Sequence, residues 1–227
     1  MTRRRCHIRG LWRDQQGSVL VELAMVLPLT FLLVFAIFDY GRLFWLISSS
    51  RKATEMAVRT AVVRPPVCPG VPERHATGGS GDRFGTLCRA PANSGGTVCA
   101  SIAPIQCTLD DASPSTSDKD EAARHAVSQE IWERISPLLP PTATAQNIRI
   151  TYASHPDLGF LGGPFTPEIT VEIVDLDFEF VMPIGPLAEV ASGGTTTYST
   201  DWSRIITFPS LSTSLPAEDL AHGVGEI

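Results

Sequence analysis

The sequence predicts an α+β protein, one long apolar N-terminal helix packed on a small antiparallel sheet, with a disulfide-bonded loop region between them. Three observations carry this. Residues 18–38 form an unbroken apolar run with a single charge. Cys68, Cys88, Cys99 and Cys107 share one stretch rich in Pro, Gly and Ser. The second half of the chain carries segments of alternating β-branched residues, the period of a half-buried strand.

The apolar run, SVLVELAMVLPLTFLLVFAIF, has 21 residues. At about 1.5 Å per residue a helix of that length spans a hydrocarbon core of roughly 30 Å. It has no polar stripe of the kind a buried soluble helix shows. Arg3, Arg4, Arg5, Arg9 and Arg13 precede it, and this basic bias predicts a cytoplasmic N-terminus. Tyr40, Phe44 and Trp45 follow, where an aromatic belt would lie. A cleavable secretory signal would have a shorter apolar region and end at a small-residue site. This run ends instead at Asp39-Tyr40-Gly41-Arg42. The helix continues through residues 43–63, free of Gly and Pro, to Pro65-Pro66, which cannot continue it. Along it Ser50, Ala53, Ala57 and Ala61 form a small-residue stripe. That stripe suits close packing on a partner helix or equally on the chain's own domain.

Charge is asymmetric. The chain has 18 Lys and Arg and 24 Asp and Glu. Five arginines and one acid lie in residues 1–17, leaving 13 basic and 23 acidic residues downstream. An acidic remainder is a poor surface for nucleic acid and suits one outside the cytoplasm. Disulfides persist in that compartment. The cysteine spacings contain no Cys-x-x-Cys, which disfavours zinc ribbons and thioredoxin-like motifs. Two disulfides are expected, with free thiols or metal ligands as the alternative. Of the three pairings, the local one, Cys68–Cys88 with Cys99–Cys107, is mildly favoured.

Glu22 is the one acid inside the apolar run, and a lone carboxylate there needs a partner or a function. One reading has it reach back to headgroup water beside an arginine. Another follows from its neighbours. A cut between Gly17 and Ser18 would create an ammonium at Ser18, with Glu22 as fifth residue. Opposite charges in a poorly solvated site attract strongly, while each alone is penalised. Pro28 removes one helix hydrogen bond and predicts a kink that neighbouring groups must re-satisfy.

The strings Gly17-Ser18-Val19-Leu20-Val21-Glu22-Leu23-Ala24, Val26-Leu27-Pro28-Leu29 and Phe38-Asp39-Tyr40-Gly41-Arg42 resemble the signature of TadE-like pilus-assembly proteins, pseudopilins of the tight-adherence (Flp-type) type IV pilus system. Ala53, Glu55, Ala57, Arg59 and Ala61 are similar to that family's helix continuation. The resemblance covers roughly residues 13–63. It implies a pilin-like fold, and a single-pass inner-membrane protein with its bulk in the periplasm. It also implies cleavage after Gly17 by an aspartic prepilin peptidase and a role for Glu22 in processing or assembly. The implied partners are other pilins and pseudopilins, the inner-membrane pilus platform, the prepilin peptidase and membrane lipid. Leu23 follows the acid where major Flp pilins have tyrosine, which points to a minor pseudopilin. The rival reading is a membrane-anchored envelope protein that binds or senses a ligand and has nothing to do with pili.

The expected organisation is a basic leader (1–17), a transmembrane and protruding helix (18–64), a Cys/Gly/Pro-rich loop region (65–116), an α+β domain (117–208) and a flexible tail (209–227). Ser117 would cap a helix with acids in its first turn and an apolar stripe at Ala123, Val127, Ile131 and Ile135, closed by Pro137. Strands are expected at 147–153, 168–182, 195–198 and 204–208, and residues 178–186 are expected to return toward the membrane-proximal helix. The residues show little catalytic chemistry. Asp111-Ala112-Ser113-Pro114-Ser115 matches a von Willebrand A metal pattern, but its lead-in is too short, and a capped loop fits better. His75, His125 and His155 are scattered, with no His-Glu-x-x-His, no nucleophile elbow and no phosphate loop. The reading is therefore structural and non-enzymatic, without cofactor or metal.

Overall fold

The computed structural model describes residues 16–79, 81–92, 95–111, 119–181, 205–217 and 220. The element order is α1 (Gln16–Ala61), β1 (Ile105–Thr108), α2 (Lys119–Ile135), β2 (Ile148–Ala153), β3 (Glu168–Ile173), β4 (Asp177–Glu179), β5 (Ile205–Thr207) and β6 (Leu211–Pro216). The described residues fall into two units. One holds α1 as far as Leu43 with Phe180 and Val181; the other holds residues 44–179 and those from Ile205 onward.

In the larger unit, β1, β2, β3 and β6 form an antiparallel sheet in the order β1-β2-β3-β6. Alternation decides its faces. Ile148, Ile150 and Tyr152 on β2 and Ile169, Val171 and Ile173 on β3 are all buried and directly opposed in register, the pairing that stabilises a sheet. The intervening residues are polar, and Arg149 on this outer face meets Glu172 at 3.7 Å. The apolar face receives α1. Thr213 pairs with Val171, so it shares that face, and its Oγ1 lies 2.9 Å from Thr54 Oγ1 of the helix. Beyond the helix end, the Val67 N–H donates to the buried Tyr152 hydroxyl at 3.0 Å. Burial raises that phenol's pKa to about 12.

The small-residue stripe has a definite place in this packing. Ser50, Ala53, Ala57 and Ala61 are each 0% exposed. They are consumed by the chain's own domain, which settles that alternative within the monomer. Small side chains let the helix backbone approach closely here.

Helix α2 buries Val127, Ile131 and Ile135, but Ala123 is exposed, so the predicted stripe begins one turn late. Ser128 Oγ donates to the Leu109 carbonyl after β1. The expected cap at Ser117 lies outside the described residues. The long strand expected over 168–182 is two strands. Asp175 takes a left-handed φ of 50°, and the Asn147 side-chain amide donates to the carbonyls of Val174 and Asp175 at 3.1 and 2.8 Å. That corner sends β4 into a separate pairing with β5. The strand expected at 195–198 lies outside the described residues.

The expectation of a flexible tail over 209–227 is corrected for residues 211–217, and residues 218–219 and 221–227 lie outside the described residues. Residues 211–216 are β6, paired along their whole length with β3, and the Ala217 N–H bonds the Pro167 carbonyl at 2.8 Å. The loop region also contains an unforeseen strand, β1.

Candidate functional site

From Val19 to Phe38 the side chains of α1 are almost all exposed. An 18-residue window there has mean hydropathy 2.5 and is 0% buried against protein. A soluble core helix would bury such residues, and a contiguous apolar surface of this size marks an interaction site. The helix is long and apolar enough to cross a membrane, consistent with a single-pass anchor. Gly17 and Ser18 lie at the start of α1, where amide N–H groups lack intrahelical partners. Glu22 sits on the exposed apolar stretch. Pro28 is inside the helix, and two residues on Thr30 Oγ1 donates to the Val26 carbonyl at 2.9 Å.

The apolar run ends at Asp39, which is 4% exposed. Its Oδ1 accepts the Val181 N–H at 3.3 Å. Beside it the Tyr40 and Phe180 rings meet edge to face, with centroids 5.9 Å apart. The predicted return toward the membrane-proximal helix thus holds for Phe180 and Val181, while 182–186 lie outside the described residues. Sequence reasoning quoted Asp39 only as part of a signature. The signal it missed is an acid one residue past the apolar run, placed to accept a backbone N–H.

The four predicted cysteines form two disulfides, but the favoured local pairing is corrected. The bonds are nested, Cys68–Cys107 and Cys88–Cys99. The sheet dictates this. Cys107 on β1 opposes Ile150 on β2, and the Cys68 sulfur lies 3.7 Å from the Ile150 carbonyl. The chain leaving α1 therefore crosses the sheet beside β1, and Cys88 and Cys99 are left to close their own loop. Around the inner bond Val98, Cys99, Cys88 and Leu161 make a small separate core, which a Gly/Ser-rich stretch could not build without a crosslink.

His75 stands beside that inner disulfide, its ligating nitrogen and the two sulfurs mutually within 4.8 Å. Both sulfurs are bonded to each other and offer no thiolate to a metal. The Thr166 N–H donates to His75 Nε2 at 3.2 Å, which puts the proton of the neutral ring on Nδ1. Burial lowers the imidazole's pKa by penalising the charged ring. Gly159 (φ 79°) makes room for it, since a Cβ there would collide with His75 Nε2. Asp111 is occupied structurally, its Oδ2 accepting from Thr108 N and Oγ1 at 2.7 and 2.8 Å. Residues 112–115 of the metal-like pattern lie outside the described residues. His125 is half-buried on α2, and His155 Nδ1 accepts the Asp157 N–H at 3.3 Å.

The family described as TadE-like protein matches residues 17–59, about a fifth of the chain and inside the stretch whose residues carried the resemblance. No curated protein and no solved structure is significantly similar to the chain. The match starts at Gly17, takes in Glu22, Pro28 and Asp39, and ends two residues short of the end of α1. Residues 17–59, the exposed apolar helix and its buried small-residue continuation, are a TadE-like protein domain.

Proposed function

We propose that this chain is a minor pseudopilin or assembly component of a tight-adherence (Flp) type IV pilus, acting structurally in the cell envelope. The observation that carries the proposal is the coincidence of the TadE-like match with a helix whose apolar surface is uncovered among the described residues and carries Glu22 near its start. On this reading the N-terminus is cytoplasmic and the disulfide-bonded domain periplasmic, as the arginine-rich leader and the two disulfides support. Prepilin peptidase cuts between Gly17 and Ser18, and Glu22 pairs with the new ammonium or sets register against a neighbouring pilin helix. Pro28 leaves one carbonyl of the spanning helix for a neighbour to satisfy. The partners are pilin and pseudopilin helices and the inner-membrane platform, and lipid surrounds the span.

The test is piliation of cells lacking the chain, complemented with wild type or with Glu22→Ala. Wild type restores surface pili, while the empty strain and E22A stay bald or nearly so. Normal piliation without the chain would sink the pilus role and favour the anchored binding or sensing protein. Normal piliation with E22A alone would remove the role given to Glu22.

A further inference from the structure

Where α1 ends, Arg59 and Arg64 meet Arg134 of α2 around a cavity of about 240 Å³, completed by Met56, Thr60 and Val63. The charges there do not balance. Arg64 and Arg134 both bond one oxygen, Glu130 Oε1, at 3.0 and 2.7 Å, and Arg134 Nη1 also reaches Thr60 Oγ1 at 3.4 Å. Glu55, a turn before Arg59, is bonded to Lys52 at 2.9 Å. Arg64 and Arg134 thus share one carboxylate, while Arg59 acts on Glu55, which Lys52 already bonds, so cations outnumber these acids in a chain whose net charge is −6. Drug-sized ligands occupy roughly 300 Å³ or more. This cavity suits an acidic side chain, its methylenes on Met56 and Val63 and its carboxylate in the guanidinium fork.

The same unit presents a matching projection. Asp175 and Asp177 are both exposed, with Leu176 buried between them as an anchor. The two Asn147 amide bonds hold the backbone of the corner, which lowers the cost of ordering it on binding. The corner is not among the residues lining the cavity of its own copy. We propose that the sheet-bearing units of successive copies associate head to tail, the Asp175–Asp177 corner of one entering the Arg59–Arg64–Arg134 pocket of the next. Because the two surfaces differ, such a contact is heterologous and repeats along a line or ring instead of closing as a two-fold dimer. The inference stands apart from the pilus reading, since an envelope protein of any role can associate this way.

Sedimentation of the full chain in detergent, at low and high salt, tests it with a charge swap. Arg59 takes no part in the Glu130 network, so Arg59→Glu should fold, and thermal melting checks this for it and for Asp177→Lys. Wild type should self-associate and weaken as salt rises. Each single reversal should weaken association by about tenfold or more. An equal mixture of R59E and D177K copies should restore it, because the two reversed positions then meet each other and the unaltered pocket meets the unaltered corner. A monomeric wild type, association insensitive to salt and to both reversals, or a mixture no stronger than its components would each overturn the proposal.

Discussion

Thr54 and Thr213, 159 positions apart in sequence, face each other with their hydroxyl oxygens 2.9 Å apart. Thr54 Oγ1 also donates to the Arg51 carbonyl at 2.9 Å, so its one proton is used and Thr213 is the donor to it. The contact ties α1 to the last strand of the sheet. Thr213→Val should cost about 1 kcal/mol, the net value of an ordinary hydrogen bond. Truncation after Ser210 removes β6 and uncovers the edge of β3. It should abolish the cooperative thermal transition and the protease resistance of the domain, which loss of a mere tail would leave intact.

Ala57 tests what the small-residue stripe does. At 0% exposure it has no room for a larger side chain, and Ala57→Leu should destabilise the domain by about 1–3 kcal/mol. Denaturant unfolding of the purified protein reads this directly. Unchanged stability with altered oligomerisation would mean the stripe faces another copy.

The nested disulfides differ in reach, with sequence separations of 39 for Cys68–Cys107 and 11 for Cys88–Cys99. On the chain-entropy account, replacing the outer pair by serines costs about 4 kcal/mol and the inner pair about 3 kcal/mol. Non-reducing peptide mapping should recover the 68–107 and 88–99 linkages. Recovery of Cys68–Cys88 would refute the placement of Cys107 beside Ile150.

His75 makes stability depend on pH. Its folded-state pKa is lowered by burial, so the unfolded chain binds the proton more readily. Stability is then full above the unfolded value of about 6.5 and falls as pH drops below it, towards the lower folded value. In His75→Gln this component of the fall should vanish between pH 7 and pH 5. An unchanged pH profile would show that His75 is not its source.

Asp39 holds Val181 through a backbone N–H. Asp39→Ala should speed hydrogen exchange at the Val181 amide, while exchange within the four-stranded sheet stays as in wild type. Equal protection at Val181 in both proteins would contradict the assignment.

The sequence made some of this legible because single periodicities carry it. The apolar run and the Pro65-Pro66 stop locate the helix, and strict alternation locates β2 and β3. Other parts depend on relations that no local window holds. Strand β6 reads LSTSLP, with only two bulky apolar residues, and is a strand because β3 offers it an edge. The break at Asp175 needs Asn147, which is remote in sequence. Cys68 pairs with Cys107 because a sheet brings them together, whereas proximity in sequence favours Cys88. Asp39 passed as one letter of a signature because its burial depends on residues near 180.

The most direct test of the central claim is the intact mass of the chain extracted from native membranes. The pseudopilin account predicts a mature protein beginning at Ser18, lighter than the full chain by residues 1–17, with two fewer hydrogens for each of its two disulfides. A chain that still begins at Met1 would contradict prepilin-type processing and, with it, the pairing of Glu22 with a new ammonium at Ser18.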